Sequence, residues 1–217
     1  NTAEYFNMFD VKTVAVYSSV EANGFLKNNE PSLVLLDINL SDGSGFELCK
    51  QIRQTLNIPI LFISARNTDD DKIIALNIGG DDYIEKPYSL GVLLAKVKVV
   101  LKRFGGADTA ESTAKTADFD DGYLKLDSAN RAVFINGEEK KITSIEWKLL
   151  SYLIENRNRL VTKNEIFDNV WNDKFTTDGT LNVHIRKIRE AIEKDAQDPK
   201  YIVTVWKEGY KFVAPEE

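Results

Sequence analysis

The chain has 217 residues, with 28 Lys and Arg against 34 Asp and Glu, a balance that argues against a histone-like coat for nucleic acid but leaves room for a locally basic face. A single cysteine, Cys49, and a single histidine, His184, exclude an internal disulfide framework and a Cys/His zinc cluster, and suit a reducing cytoplasmic compartment. No apolar run approaches the roughly 20 residues needed to cross a bilayer, and residues 1–10 lack the layout of a signal peptide, so no membrane partner is expected.

From residue 11 to 104, short apolar runs alternate with amphipathic stretches. The pattern predicts strands over 14–17, 33–36, 60–63 and 83–84, and helices over 20–28, 46–55, 68–78 and 90–103. Strands that are apolar on both faces and separated by helices imply a parallel sheet covered on both sides, an α/β domain over 1–104. Residues 105–121 (GGADTAESTAKTADFDD) are small and polar, with five acids against Lys115, and read as a flexible linker. Beyond Gly122 the rhythm changes. Residues 123–126 and 132–135 alternate like hairpin strands, Asn136-Gly137 supplies turn chemistry before a further strand expected at 141–142, and helical patterns cover 144–156, 163–170 and 178–195. The segments 201–205 and 209–213 close the chain as a hairpin, so 122–217 is expected to be an α+β winged helix-turn-helix domain.

In an open α/β sheet, ligands bind outside the carboxyl ends of the strands. Three strand ends here offer a carboxylate (Asp37), a hydroxyl (Ser64, followed by Ala65) and an ammonium (Lys86). An aspartyl phosphate needs such a set: an oxygen nucleophile, a donor to one phosphoryl oxygen and a fixed positive charge for another. No Ser/His/Asp or Cys/His arrangement exists, so an enzyme is not expected. The acidic triplet Asp69, Asp70 and Asp71 reads as a helix N-terminal cluster favoured by the dipole. Trp147, Trp171 and Trp206 read as core or rim packing rather than base-stacking groups.

PSLVLLD at 31–37, GSG at 43–45, PILFISA at 59–65 and GDDYIEKP at 80–87 together resemble the receiver domain of two-component response regulators, which has a flavodoxin-like fold. The resemblance implies that Asp37 accepts a phosphoryl group from a sensor histidine kinase, that Lys86 pairs with the phosphate, and that Ser64 and Tyr83 form a switch pair. It further implies that Asp37 and the Asn39 carbonyl help to hold Mg²⁺. The family's first strand and its two magnesium-binding acids have no counterpart in the given residues, so the sheet is expected to have an incomplete first strand, with a truncated sequence preferred over a degenerate receiver, and Mg²⁺ is expected only if those acids precede residue 1. Homodimerisation through the last helices and strand of the receiver is implied as well. In that face Lys72 would meet Val92, Asp82 would meet Lys96, and Asp81 would meet Arg103, with Lys lacking the bidentate fork of the usual Arg.

Residues 178–195 carry Leu181, Ile185, Ile188 and Ile192 at helical spacing, with cations largely on other faces, as in a helix that reads duplex DNA. ITSIEWKLL at 142–150, VW at 170–171, VHIRKIR at 183–189 and GYKF at 209–212 resemble the effector domain of the OmpR/PhoB family. By that resemblance His184, Arg186, Lys187 and Arg189 would touch promoter DNA, and RNA polymerase would be a partner. Trp206-Lys207 stands where the family wing usually has Arg-Gly, so Lys207 or Lys211 would serve the phosphates. Two functions stay open: a DNA-binding transcription regulator controlled by phosphorylation of Asp37, and a phosphorylation-independent regulator with a degenerate receiver.

Overall fold

The computed structural model describes residues 2–66, 68–104, 118–172 and 176–214, with the side chains of Arg103 and Phe104 outside the described set. The chain divides into two units, Asn1–Thr109 and Ala110–Glu217.

The first unit runs α1 (Thr2–Asn7), α2 (Ser19–Leu26), β1 (Val34–Asp37), β2 (Asn39–Leu40), β3 (Gly43–Ser44), α3 (Gly45–Thr55), β4 (Ile60–Ser64), α4 (Asp69–Asn77), β5 (Asp82–Glu85) and α5 (Leu90–Phe104). Its parallel sheet has the order β1-β4-β5, with Asp37 opposite Ile63 and Ser64 opposite Glu85. Strand β4 is buried along its whole length, as expected of a run that is apolar on both faces and bonded on both edges. Side chains on opposite faces of the strand feed separate clusters. Ile60 and Phe62 join Leu36, Leu48, Cys49 and Ile52, whereas Ile63 joins Phe6, Leu93, Leu94 and Val97. Ser18, Ser44 and Thr68 cap α2, α3 and α4 by accepting N–H groups of Glu21, Phe46 and Asp71, and the acidic triplet lies in the first turn of α4.

The strand expected over 14–17 does not form. A strand persists only where its backbone groups find a ladder, and no partner strand lies beside these residues among those described. Val14, Val16 and Tyr17 are exposed, and the Ser41 hydroxyl bonds the Tyr17 carbonyl at 2.7 Å. The expected strand over 33–36 forms one residue later, ending on Asp37, and three of its four residues are only half-buried.

The second unit opens with an antiparallel sheet of β6 (Phe119–Asp120), β7 (Leu124–Asp127), β8 (Ala132–Ile135) and β9 (Glu138–Lys140). Asn136 and Gly137 turn the chain with φ of 50° and 82°, the left-handed pair that a two-residue hairpin loop requires. This tight turn starts β9 at Glu138, ahead of the strand expected at 141–142, and Thr143 then caps the next helix. Of the stretch read as linker, Phe119 and Asp120 pair with β7, and Phe119 packs edge-on against Phe212 at 5.3 Å; residues 105–117 lie outside the described residues.

Next come α6 (Ser144–Glu155), β10 (Val161–Thr162), α7 (Lys163–Ile166), a π-helical turn (Phe167–Trp171), α8 (Asp178–Ile192), β11 (Ile202–Val205) and β12 (Gly209–Phe212), the three strands ordering β10-β12-β11. Capping boxes start two of the helices, Thr143 with Glu146 and Thr162 with Glu165. Helix α8 ends three residues short of the expected 195, because the Glu193 carboxylate turns back to accept the N–H groups of Lys200, Tyr201 and Ile202 and so anchors the hairpin β11–β12. Leu149, Leu150, Leu153, Ile166, Trp171, Leu181, Ile185, Ile188 and Phe212 are buried in this unit.

Candidate functional site

Asp37 is the last residue of β1, and its carboxylate is held from two sides. Lys86 Nζ lies 2.5 Å from Oδ2, and the Asn39 backbone N–H donates to Oδ1 at 3.0 Å. Gly45, at the start of α3, makes this corner possible. Its N–H reaches the Ile38 carbonyl at 2.8 Å, and a Cβ at that position would stand 2.0 Å from the Asp37 carbonyl oxygen. Lys86 follows β5 and precedes a cis Lys86-Pro87 bond.

Ser64 is buried at the end of β4, and its Oγ accepts the Arg66 N–H at 3.1 Å; Ala65 is exposed. The Tyr83 ring is half-buried, with its hydroxyl donating to the Arg66 carbonyl at 2.5 Å, and burial pushes the phenol pKa up. Arg66 escaped the sequence reading. Its guanidinium reaches Asn39 Oδ1 at 3.2 Å and Asp71 at 3.5 Å, so it bridges the β1 and β4 loops; the alternation of apolar and polar residues carries no signal for such a contact. The strand-end set of Asp37, Ser64 and Lys86 therefore stands on adjacent parallel strands and the loop after the third, with Asp37 and Lys86 in direct contact.

The residues expected at a dimer face are engaged differently within one chain. Asp81 is 4% exposed. It binds Arg53 Nη2 at 2.7 Å and the Ile60 N–H at 2.8 Å, which corrects its assignment to a cross-subunit pair with Arg103. Arg53, not singled out from the sequence, also bonds the Gly79 and Ile58 carbonyls. Asp82 and Lys96 do meet, at 2.7 Å, but inside the same chain and out of solvent. Lys72 pairs with Glu85 and Asp69, Val92 is exposed, and the Arg103 side chain lies outside the described residues.

In the second unit, His184 is fully buried at 0% exposure, with Nδ1 3.4 Å from Glu146 Oε1 and its ring against Trp171. It cannot touch DNA, and that expectation is corrected. The spacing held the answer: positions 181, 184, 185 and 188 form one helical stripe, with His184 inside it. Arg189 is likewise turned inward. It donates to the Ile202 carbonyl at 2.6 and 3.0 Å and to Thr204 Oγ1 at 2.8 Å, clamping α8 to β11 rather than offering a free cation. Lys187 is half-buried and pairs with Glu146 Oε1 at 2.8 Å.

Exposed along α8, besides Gly179, are Asp178, Asn182, Arg186 and Glu190, one row at four-residue spacing, with Arg186 and Glu190 paired at 3.3 Å. Lys207 is exposed and holds φ of 65°, while Lys211 is half-buried. Trp147 and Trp171 are buried as expected, but Trp206 is 80% exposed, which corrects its reading as packing.

Comparison with known proteins agrees with this geometry. Residues 1–98 match the response regulator receiver domain, and residues 137–212 match the C-terminal domain of transcriptional regulatory proteins. The sensory transduction protein RegX3 of Mycolicibacterium smegmatis is 37% identical over 180 residues, covering 82% of this chain and 78% of its own. The transcriptional regulatory protein YcbL of Bacillus subtilis is 39% identical over 199 residues, covering 91% and 88%. Among solved structures a RitR mutant superposes with a TM-score of 0.72 at 20% identity over 97% of this chain and 91% of that one, a likeness of fold. A receiver followed by such a C-terminal module defines a two-component response regulator with a DNA-binding effector domain. Within that class, the chain belongs to the OmpR/PhoB family.

Proposed function

We propose that this chain is a transcription regulator switched by phosphorylation at Asp37, with a sensor histidine kinase as donor. The observation that carries the reading is the 2.5 Å contact between Asp37 and Lys86 at the carboxyl edge of the sheet. An Asp37 carboxylate oxygen would attack the phosphorus of a phosphohistidine; the P–O bond forms as the P–N bond breaks, and the imidazole leaves with the bonding pair and takes up a proton. Lys86 neutralises one phosphoryl oxygen, and the Ser64 hydroxyl can turn from Arg66 toward another. Magnesium prefers about six oxygens, several of them carboxylate. Among the described residues no three His, Cys, Asp or Glu groups come together, so Asp37 and the Asn39 carbonyl would be only part of a magnesium donor set and no step is routed through the ion.

In the same reading the exposed row of α8, centred on Asn182 and Arg186, meets promoter DNA, and a receiver homodimer through the face that exposes Ile73, Ile74 and Val92 would present the effector domains to DNA and to RNA polymerase. Among the described residues no helix is long and apolar enough to cross a membrane.

Incubation of the full chain with acetyl phosphate in magnesium buffer tests the switch by intact mass. The expected gain is about 80 Da, absent in Asp37→Asn. No gain in the parent chain, or the same gain in the variant, would remove the reading. Arg186→Glu tests the interface: duplex affinity should fall and the salt dependence flatten.

A further inference from the structure

Asn182 is the one uncharged member of the exposed row on α8, and its amide is held in one orientation. The Tyr210 hydroxyl donates to Oδ1 at 2.7 Å, while among the described residues no group bonds Nδ2. Tyr210 itself has little freedom. It stands in β12, the central strand of its sheet, opposite Val161 on one side and Thr204 on the other, and is 5% exposed. The Arg189 guanidinium lies 5.9 Å from its ring centroid and is fastened in turn to the Ile202 carbonyl. Burial pushes the phenol pKa up, so the hydroxyl keeps its proton and remains a donor. Turning the amide over would leave that proton without its acceptor, a loss that a buried donor resists.

An amide fixed in this way has lost half of its recognition chemistry. An unconstrained Asn pairs with adenine by donating to N7 and accepting from the N6 amino group. Here Oδ1 is committed to Tyr210, and Nδ2 offers N–H donors alone. In the major groove, guanine presents two adjacent acceptors, N7 and O6; adenine and cytosine set an amino donor on that edge, and thymine has one acceptor beside its methyl group. We infer that Asn182 selects guanine, its Nδ2 donating to O6 or N7, with Tyr210 as the positioning residue that denies it adenine. The inference rests on the DNA interface proposed above and adds to it the identity of one base.

The test selects duplexes from a randomised pool with the full chain, then measures affinity by anisotropy on a series that varies one base pair at a time. At the position that responds to Asn182→Ala, the parent chain should prefer guanine over adenine roughly tenfold. Tyr210→Phe lets the amide turn, and should bring the two bases within about twofold there while leaving other positions unchanged. Asn182→Asp puts an acceptor in place of the donor, and should move the preference at that position to cytosine. If Tyr210→Phe does not fold, the Asn182→Asp series decides alone; both Asn182 variants should keep the parent circular dichroism, because the side chain is exposed. A parent chain that prefers adenine at this position, or a folded Tyr210→Phe chain that discriminates as the parent does, would overturn the inference. So would the absence of any position responding to Asn182→Ala; if Arg186→Glu still weakens binding, the α8 interface stands without it. A parent chain that enriches no duplex, with Arg186→Glu unchanged from it, removes the interface and the inference together.

Discussion

Glu146 shows how much one carboxylate can hold. It closes the capping box of α6 by accepting the Thr143 N–H at 2.7 Å, and its other oxygen faces Lys187 and His184. Burial alone pushes its pKa up, but the His184 ring and the Lys187 charge outweigh it and hold the carboxyl at about 2, against an ordinary 4.5. The folded pKa is the depressed one, so this group stabilises the fold above pH 4.5, and the contribution is lost as pH falls toward 2. Glu146→Gln should therefore cost roughly 3 kcal/mol at neutral pH, since it leaves Lys187 and His184 without their anion. Denaturant titrations of both chains at pH 7 and near pH 3 check this. The deficit should shrink on acidification, and an equal deficit at both pH values would show that shape rather than charge matters at this position.

The turn from β1 into α3 is where a helix and a strand come too close for any side chain but hydrogen. Gly45→Ala would place a methyl carbon against the Asp37 carbonyl, and the end of β1 would have to move. The expected outcome is a loss of about 2 to 4 kcal/mol together with slower uptake of phosphate from acetyl phosphate, because Asp37 shifts away from Lys86. Intact mass against time, alongside thermal unfolding, separates the two effects. Phosphate uptake at the parent rate in a destabilised Gly45→Ala chain would show that the corner supports the fold without positioning the carboxylate. Gly209 plays a matching part in the second unit, where a Cβ would stand 2.0 Å from the Val161 carbonyl oxygen and part β12 from β10.

Each of the two units has its own buried apolar core, which is the condition for unfolding as a unit. Arg53 is a reporter for the first. Its guanidinium joins the Ile58 and Gly79 carbonyls to Asp81, tying α3 to the loops that lead into β4 and β5. Glu146 serves the second unit. Calorimetry of the full chain should resolve two transitions, with Arg53→Ala lowering one and Glu146→Gln the other. One merged transition moved equally by both variants would mean that the units unfold as a single cooperative body.

Most of this architecture was legible in the residue pattern. The apolar run at 60–63 marked the central strand of the described sheet, because a segment greasy on both faces is stable only between covering layers. The strand ends carrying Asp37, Ser64 and Lys86 and the Asn136-Gly137 turn are likewise local features of sequence. What tertiary packing decided is where each polar group spends its hydrogen bonds. The strand at 14–17 lacked a ladder, Asp81 was taken by Arg53, and Arg189 turned inward to the Ile202 carbonyl while Trp206 was left in solvent. Periodicity says which face of an element is apolar, but whether a cation or an indole on the boundary meets protein or water depends on partners tens of residues away, and local sequence does not encode that distance.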